Sequence, residues 1–339
     1  MILISVAIDI NTKKKINNKG NKKMKHVIFA HSHCTDGLCA ASIMKRAINI
    51  CLNTEDIVVI FARYGAEKKA LEQAEIDDKT DVYIVDFSFS REDTLDIAKK
   101  CKNLVILDHH ITAFEKLEGI EKESDNIEFF FDNNMSGATL VNGFVAKRFL
   151  DFGKSQEIVN YVAELVEDRD LWNFKLKDTK AFGEFVFSQI EPNDIDTFSE
   201  ILFDSDMKKI KSYVDLGNIL DKNKKKQVNQ RLEQMQTPTV LEIPYPETSE
   251  QVKIIFVNET QSDLVSELGN AICKKFQKPV CLYKILSNGM VSLSFRSMDN
   301  LIDMSKVAVA LGGGGHRNAA AGSTKLENFV KILNGGSHI

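Results

Sequence analysis

Seven residues between His31 and Asp170 carry side chains that bind divalent metal ions: His31, Asp36, Asp86, Asp108, His109, Asp168 and Asp170. Oxygen and imidazole donors of this kind suit Mn2+ first, with Mg2+ or Co2+ as alternatives. Several carboxylates drawn into one cleft repel one another unless cations neutralise them. Two ions about 3.5–4 Å apart, bridged by one aspartate, are the usual arrangement for hydrolysis at phosphorus, because they acidify a water and clamp developing negative charge. The stretch ILDHHITA, Ile106 to Ala113, poses the question most sharply. An apolar, strand-like run ends in Asp108, His109 and His110, and burying such groups is costly unless something binds them. Of the seven histidines, five fall in three short clusters: His31 with His33, His109 with His110, and His316. Chance and core packing would not favour strand ends in this way.

A second cluster is LGGGGHRNAAAGS, Leu311 to Ser323. Consecutive glycines, among them Gly313, Gly314 and Gly315, can bring backbone N–H groups close to an anion and tolerate positive φ. A helix N-terminus following the run would add its dipole. His316 and Arg317 supply side-chain donors, and Arg296 at the end of MVSLSF is a further anion donor. A glycine run alone fits a tight turn equally well. The histidine directly after it makes substrate binding the better reading.

The elements that must position these residues alternate. HVIFAH, IVVIFA, DVYIVDF and NLVILDHH read as strands, with amphipathic helical stretches between them. In SREDTLDIAKKC, Ser90 is placed as N-cap with Asp93 in the capping-box position. This alternation predicts a parallel sheet flanked by helices. In such sheets ligands sit beyond the carboxyl ends of the strands, where His31, Asp86 and Asp108 to His110 fall. Residues 136–236 read mostly as helix, the last stretch from Met207 being long, polar and suited to a connector. A strand-rich segment follows, with VKIIFV, PVCLYKIL, MVSLSF and a helix at DLVSELGNAICKKF. The expected fold is α/β: a mobile basic arm over 1–24, a parallel-sheet domain over 25–190, a helical linker over 191–238, and a smaller α/β domain over 239–335.

Composition narrows the function classes. Lys plus Arg is 44 and Asp plus Glu is 48, a net charge of −4 over 339 residues. No global basic excess announces nucleic acid, although a local basic groove remains compatible with that balance. The six cysteines form no CxxC pair, which argues against a structural zinc site and for a reduced, cytoplasmic setting. The first apolar run, ILISVAI, is too short to span a bilayer and lacks the features of a signal peptide.

Together the motifs resemble the DHH phosphoesterase superfamily, in the branch with a C-terminal DHHA1 domain (the nanoRNase, RecJ-like, oligoribonuclease or cyclic-nucleotide phosphodiesterase types). HSHCTDG, Asp86 in IVDF, Asp108-His109-His110, EDRDLW and GGGGH match its motifs in order, from residue 26 to about 323. The resemblance implies His31 and Asp36 as first-motif ligands, Asp86 as the bridge and His109 as a ligand of the second ion. Asp168 would complete the set. Spacing does not separate it from Asp170, and the ED after a helix favours Asp168. Asp108 would orient its neighbours or contact metal, and His110 would contact phosphate or help protonate the leaving group. Arg296 and His316 would grip the nucleotide from the second domain. One departure is Cys34, where many members have aspartate. It either ligates as thiolate or leaves one ion with fewer protein ligands, and His33 could in part compensate.

The resemblance implies a metal-dependent phosphodiesterase acting on short single-stranded oligonucleotides or small nucleotides, cyclic ones included. The chain has room for two domains and no stretch rich in interleaved aromatic and basic residues, which favours short substrates over long DNA. A homodimer and the absence of a membrane partner are further expectations. The alternative is a non-catalytic nucleotide-binding or regulatory protein on the same scaffold, whose only support is Cys34. Retention of Asp36, Asp86, His109 and Asp168 speaks against it.

Overall fold

The computed structural model describes residues 25–334 apart from 150, 151, 247, 249 and 312, so the arm expected over 1–24 lies outside the described residues. The first body runs β1 (His26–His31), α1 (Thr35–Leu52), β2 (Ile57–Ala62), α2 (Glu67–Gln73), β3 (Asp81–Val85), α3 (Arg91–Ala98), β4 (Asn103–Asp108), α4 (Ile111–Leu117), β5 (Ile127–Phe131), α5 (Gly137–Arg148), α6 (Gln156–Asp170), α7 (Thr179–Gln189) and α8 (Ile195–Phe203). Its sheet is parallel throughout, in the order β2-β1-β3-β4-β5. β5 is an edge strand that the sequence reading does not anticipate.

Both faces of this sheet are covered, which is why its central strands are continuous apolar runs rather than alternating ones. Successive side chains still point opposite ways. Ile28, Ala30, Tyr83, Val85, Val105 and Leu107 pack with α1, α5 and α6. Val27, Phe29, Val82, Ile84, Leu104 and Ile106 pack on the other face with Phe87, Phe89, Ile97 and Leu117. Ser90 caps α3 by accepting the Asp93 N–H at 3.1 Å. The Asp93 carboxylate takes the Ser90 hydroxyl at 2.7 Å. The reciprocal capping box forms instead at Ser136 and Thr139, at the start of α5.

The second body follows α9 (Met207–Gln234): β6 (Thr239–Pro244), β7 (Gln251–Asn258), α10 (Val265–Phe276), β8 (Val280–Ile285), β9 (Met290–Arg296), α11 (Met304–Ala310), β10 (Gly314–His316), β11 (Ala319–Lys325) and α12 (Leu326–Leu333). Its sheet is mixed, in the order β10-β11-β9-β8-β7-β6, with only the β7–β8 pair parallel. α10 lies on one face through Leu268, Ile272 and Cys273. Met304, Val307, Phe329 and Ile332 of α11 and α12 cover the other.

α9 is packed at both ends rather than strung free between the bodies. Ile210 and Val214 join the core of the first body, as do Phe198, Ile201 and Leu202 of α8. Val228, with Leu232 and Met235, joins the core under α10. Residues 195–214 therefore belong with the first core, not with a connector that begins at 191. At its middle, α9 presses on α7 so closely that a Cβ on Gly217 would lie 1.8 Å from the Ala181 carbonyl oxygen. An ionic cluster closes the junction. Buried Glu184 of α7 receives Lys224 Nζ of α9 at 2.5 Å and Arg169 of α6 at 3.6 Å. Lys224 and Arg169 also reach Glu267 of α10, at 3.8 and 3.9 Å.

Candidate metal centre

The strand order reverses direction between β1 and β3, and open parallel sheets place their ligand crevice beyond the carboxyl ends of strands at such a point. His31 ends β1, Asp86 follows β3 and Asp108 ends β4. These three strands are neighbours, so their ends bring the side chains together.

Asp86 is at the centre. Its backbone is left-handed, φ 53°, a conformation that aspartate tolerates better than most residues, and its N–H is held by the Leu107 carbonyl at 2.9 Å. One carboxylate oxygen lies 3.1 Å from His109 Nε2, the other 3.7 Å from His31 Nδ1. Burial pushes this carboxyl up, but the imidazoles of His109, His31 and His110 outweigh it and hold Asp86 well below the usual carboxylate range.

His109 Nε2 also faces Asp36 at 3.7 Å and Asp170 at 3.6 Å. Asp36 stands in the first turn of α1 and accepts the N–H groups of Gly137 and Ala138 at 2.6 and 2.8 Å. Those donors are the start of α5, whose positive end favours an anion there. Burial, then the charges of Asp86 and Asp170, nevertheless push the Asp36 carboxyl well above its ordinary range. The approach requires glycine at 137, since a Cβ would sit 2.5 Å from Asp86 Cβ and 3.0 Å from an Asp36 oxygen. Asp170 closes the group from the open side, its side chain 28% exposed. Burial and the Asp86 charge raise it too.

Asp108 is fully buried and accepts from Ser88 Oγ at 2.6 Å, from the His109 N–H at 2.7 Å, and from the N–H and Nδ1 of His110 at 3.2 and 2.7 Å. It sets the geometry of both histidines. Burial opposes charge on His110, but the Asp108 contact overrides it and lifts the imidazole to about 9. With Nδ1 committed to Asp108, Nε2 is the nitrogen left for an outside group. The His110 ring stacks on His316 of β10, centroids 5.8 Å apart and 18° from parallel.

Three groups have donor atoms within 4.8 Å of one another: Asp86, Asp108, His109 and His110; His31, Cys34 and Asp86; and Asp36, His109 and Asp170. The first links the other two, which are the outer ligand sets. Both fit a divalent cation. His31 Nδ1 and one Asp86 oxygen are buried without a hydrogen-bond partner. At 3.7 Å a proton does not join them, whereas an ion between them would satisfy both. Cys34 belongs to this set. Burial and the carboxylates of Asp86, Asp170 and Asp36 hold its thiol well above the usual range. It would ligate only by exchanging its proton for a cation.

Asp168, expected as the last ligand, is not in either set. Its carboxylate accepts the N–H groups of Lys175 and Leu176, both at 2.9 Å, and the Thr179 hydroxyl. Burial works against its charge, but those donors prevail and lower the carboxyl. It organises the loop after α6, and it is Asp170 that stands with Asp36 and His109. Residues 168 and 170 are about 200° apart around a helix, so only one can face the cluster. His33 is also outside both sets. It is exposed, φ 58°, with its N–H on Asn193 Oδ1 at 2.9 Å and Nδ1 against Ser32 Oγ at 2.6 Å.

In the second body Gly313 and Gly315 admit neighbouring backbone, whereas a Cβ on Gly314 would meet nothing within 4 Å. The Gly313 N–H is taken by the Ala308 carbonyl at 2.9 Å, so it is not offered to an anion. A Cβ on Gly313 would lie 1.9 Å from the Ala321 carbonyl oxygen. Gly314 and Gly315 form edge strand β10 with His316, paired to Ala319–Ala321. No helix begins directly after the run; β10 starts within it and β11 follows. Arg296 lies in register with Ala319, opposite His316, in one row across the sheet. Its guanidinium donates to Ser266 Oγ at 2.9 Å and to the Phe295 carbonyl at 2.8 Å. Arg317 donates to the Leu301 carbonyl.

Sequence reading missed Ser88, the Gly137–Ala138 donors and Tyr64, whose ring meets His31 at 5.5 Å and His110 at 6.3 Å. Ser136-Gly137 before ATLVNGF is a helix-start signal that would have flagged the donors. Nothing local marks Tyr64.

Residues 249–335 match the DHHA1 domain family model. An uncharacterised protein of Acanthamoeba polyphaga mimivirus, R106, is 23% identical over 328 residues, covering 94% of this chain and 71% of that one. RecJ of Thermus thermophilus, solved in complex with Mn2+, is similar in structure with a TM-score of 0.52 at 12% identity, over 91% of this chain and 51% of RecJ. This chain thus spans about half of that RecJ. An exopolyphosphatase-related protein of Bacteroides fragilis is similar with a TM-score of 0.51 at 16% identity, over 92% of this chain and 91% of the other. At these identities the structural likeness is one of fold. Among the described residues no helix is long and apolar enough to cross a membrane.

Proposed function

We propose, from the premise that this chain is a DHH/DHHA1 superfamily protein, that it is a metal-dependent phosphodiesterase hydrolysing short single-stranded oligonucleotides or small nucleotides, cyclic ones included. The observation that carries this reading is the linkage of three candidate ligand groups through Asp86 and His109, whose side chains lie 3.1 Å apart, with buried, unpartnered donor atoms on Asp86 and His31. Asp86 would bridge two divalent ions, His31 and Cys34 completing one site and Asp36, His109 and Asp170 the other. The ions would supply an acidified water and neutralise charge on the phosphoryl oxygens.

The chain's own side chains do the rest. Asp108 holds His110 Nδ1, so His110 Nε2 would be the nitrogen that bonds a phosphate oxygen or delivers a proton to the departing alkoxide. His316 stands against that ring from the second body and would hold the substrate on the far side of the cleft.

The test is a panel of linear and cyclic substrates, from dinucleotides to long strands, assayed with Mn2+, Mg2+ and Co2+. Release of mononucleotides from the shortest strands, or opening of a cyclic nucleotide, is the expected result. The proposal fails if none is cleaved with any ion. Nucleotide binding that ignores chelator, without turnover, would instead indicate a binding protein.

A further inference from the structure

Eight residues after Asp170, from Leu171 to Asp178, join α6 to α7 and display an aromatic pair that the ligand sets do not use. Trp172 is 49% exposed. Its indole meets the Phe174 ring edge to face, centroids 4.7 Å apart at 79°. Both residues are left-handed, φ 58° and 51°, a strained conformation that bulky side chains keep only where the surroundings impose it.

The surroundings do impose it. The Asp168 carbonyl accepts the N–H groups of Asn173 and Phe174 at 2.9 and 3.1 Å. Its carboxylate ties down Lys175, Leu176 and Thr179. Asp178 takes the Tyr161 hydroxyl at 2.8 Å. A buried aspartate thus holds a rigid loop in order to hold an indole in water, two residues from a candidate metal ligand. The same corner is where the bodies meet, since Arg169 just before it reaches Glu267 of α10.

Charge indicates what the pair would receive. Lys175, Lys177 and Lys180 are exposed on this short segment, and Lys180 Nζ stands 5.0 Å above the Phe174 ring. Aromatic faces interleaved with cations suit a chain of stacked bases and phosphates. Sequence reading passed over this interleaving because it spans so few residues.

We propose that Trp172, backed by Phe174, is a stacking platform for a nucleobase of the substrate beside the metal centre, with Lys175, Lys177 and Lys180 taking the phosphates beyond it. The assignment rests on the nucleotide reading above and narrows it to base-bearing substrates, because an inorganic polyphosphate offers no ring to stack.

Trp172 is the only tryptophan of the chain, so intrinsic fluorescence of the full-length protein reads this site alone. The protein with Mg2+ is titrated with adenosine 5′-monophosphate, with an uncleavable methylphosphonate-linked diadenosine, and with ribose 5-phosphate. Saturable quenching by the first two and none by the third is expected. In parallel, Trp172→Ala should raise KM for a dinucleotide about tenfold or more, while Trp172→Phe stays within about threefold. Equal quenching by ribose 5-phosphate, or no quenching by either base-bearing ligand at concentrations that saturate turnover, overturns the platform and leaves hydrolysis standing. Base-dependent quenching without hydrolysis under any metal keeps the platform and overturns the enzymatic reading. Silence in both assays overturns both.

Discussion

The imidazoles of His110 and His316 are stacked, 5.8 Å apart and 18° from parallel, one at the start of α4 in the first body and the other in β10 of the second. His110 is fixed from behind by Asp108, and His316 by the pairing of β10 with β11. Two bodies with separate cores therefore contribute to one surface.

If His316 serves the substrate and not the ions, His316→Ala should raise KM about tenfold and lower kcat, with Mn2+ affinity within about twofold of the parent. Steady-state kinetics and calorimetry measure these separately. Lost metal binding in this variant would contradict the division of labour.

Asp86→Asn should remove turnover and weaken binding of both ions. Gly137→Ala makes a finer test, because its added methyl would press on Asp86 Cβ and on Asp36 from a helix start. Overpacking of that kind costs about 1–3 kcal/mol. It should show as a lower melting temperature in chelator together with weaker Mn2+ binding. A variant that keeps parental metal affinity would mean the α5 start does not shape the site.

Asp168 and Asp170 separate structure from chemistry. Asp168→Asn removes charge-assisted acceptors from buried donors and should cost about 1–3 kcal/mol of stability, with little change in ion stoichiometry. Asp170→Asn should leave stability near the parent's, or raise it without metal by removing a repelled carboxylate, and lose affinity for one ion. The reversed pattern would restore Asp168 as the ligand.

The pH dependence of the metal-free protein follows from His110. Its folded pKa, about 9, stands above the ordinary value near 6.5. The protonated form is therefore the stabilised one. That stabilisation is full below about pH 6.5 and is lost as pH rises through about 9. The melting temperature in chelator should fall across this window, and the fall should flatten in His110→Gln. An equal slope in that variant would assign the effect to other groups.

How far the sequence reveals this molecule depends on the range of the interactions. β1 to β4 are legible because a buried parallel strand writes a continuous apolar run. β5 escapes because IEFFF, half-exposed at a sheet edge, has no such context. His31, Asp86 and His109 are legible because strand ends mark them. The choice between Asp168 and Asp170 is not, because it depends on the loop donors that capture one carboxylate and on the helix phase that aims the other. The GGGGH run reads as an anion cradle, while in the structure the Gly313 N–H serves Ala308 and Gly313 and Gly315 admit neighbouring backbone. Composition does not distinguish those uses.

α9 behaves as a shaft between two gear faces. Ile210 and Val214 are keyed into one core and Val228 into the other, so the angular phase of the helix fixes which face of the second sheet looks at the metal ligands. Each residue advances a helix by about 100°. A single alanine inserted between Val214 and Val228 would preserve every ligand and every hydrophobic side chain, yet turn His316 out of line with His110. The alignment of the two histidines is thus indexed by a residue count in a segment that carries none of the candidate ligands.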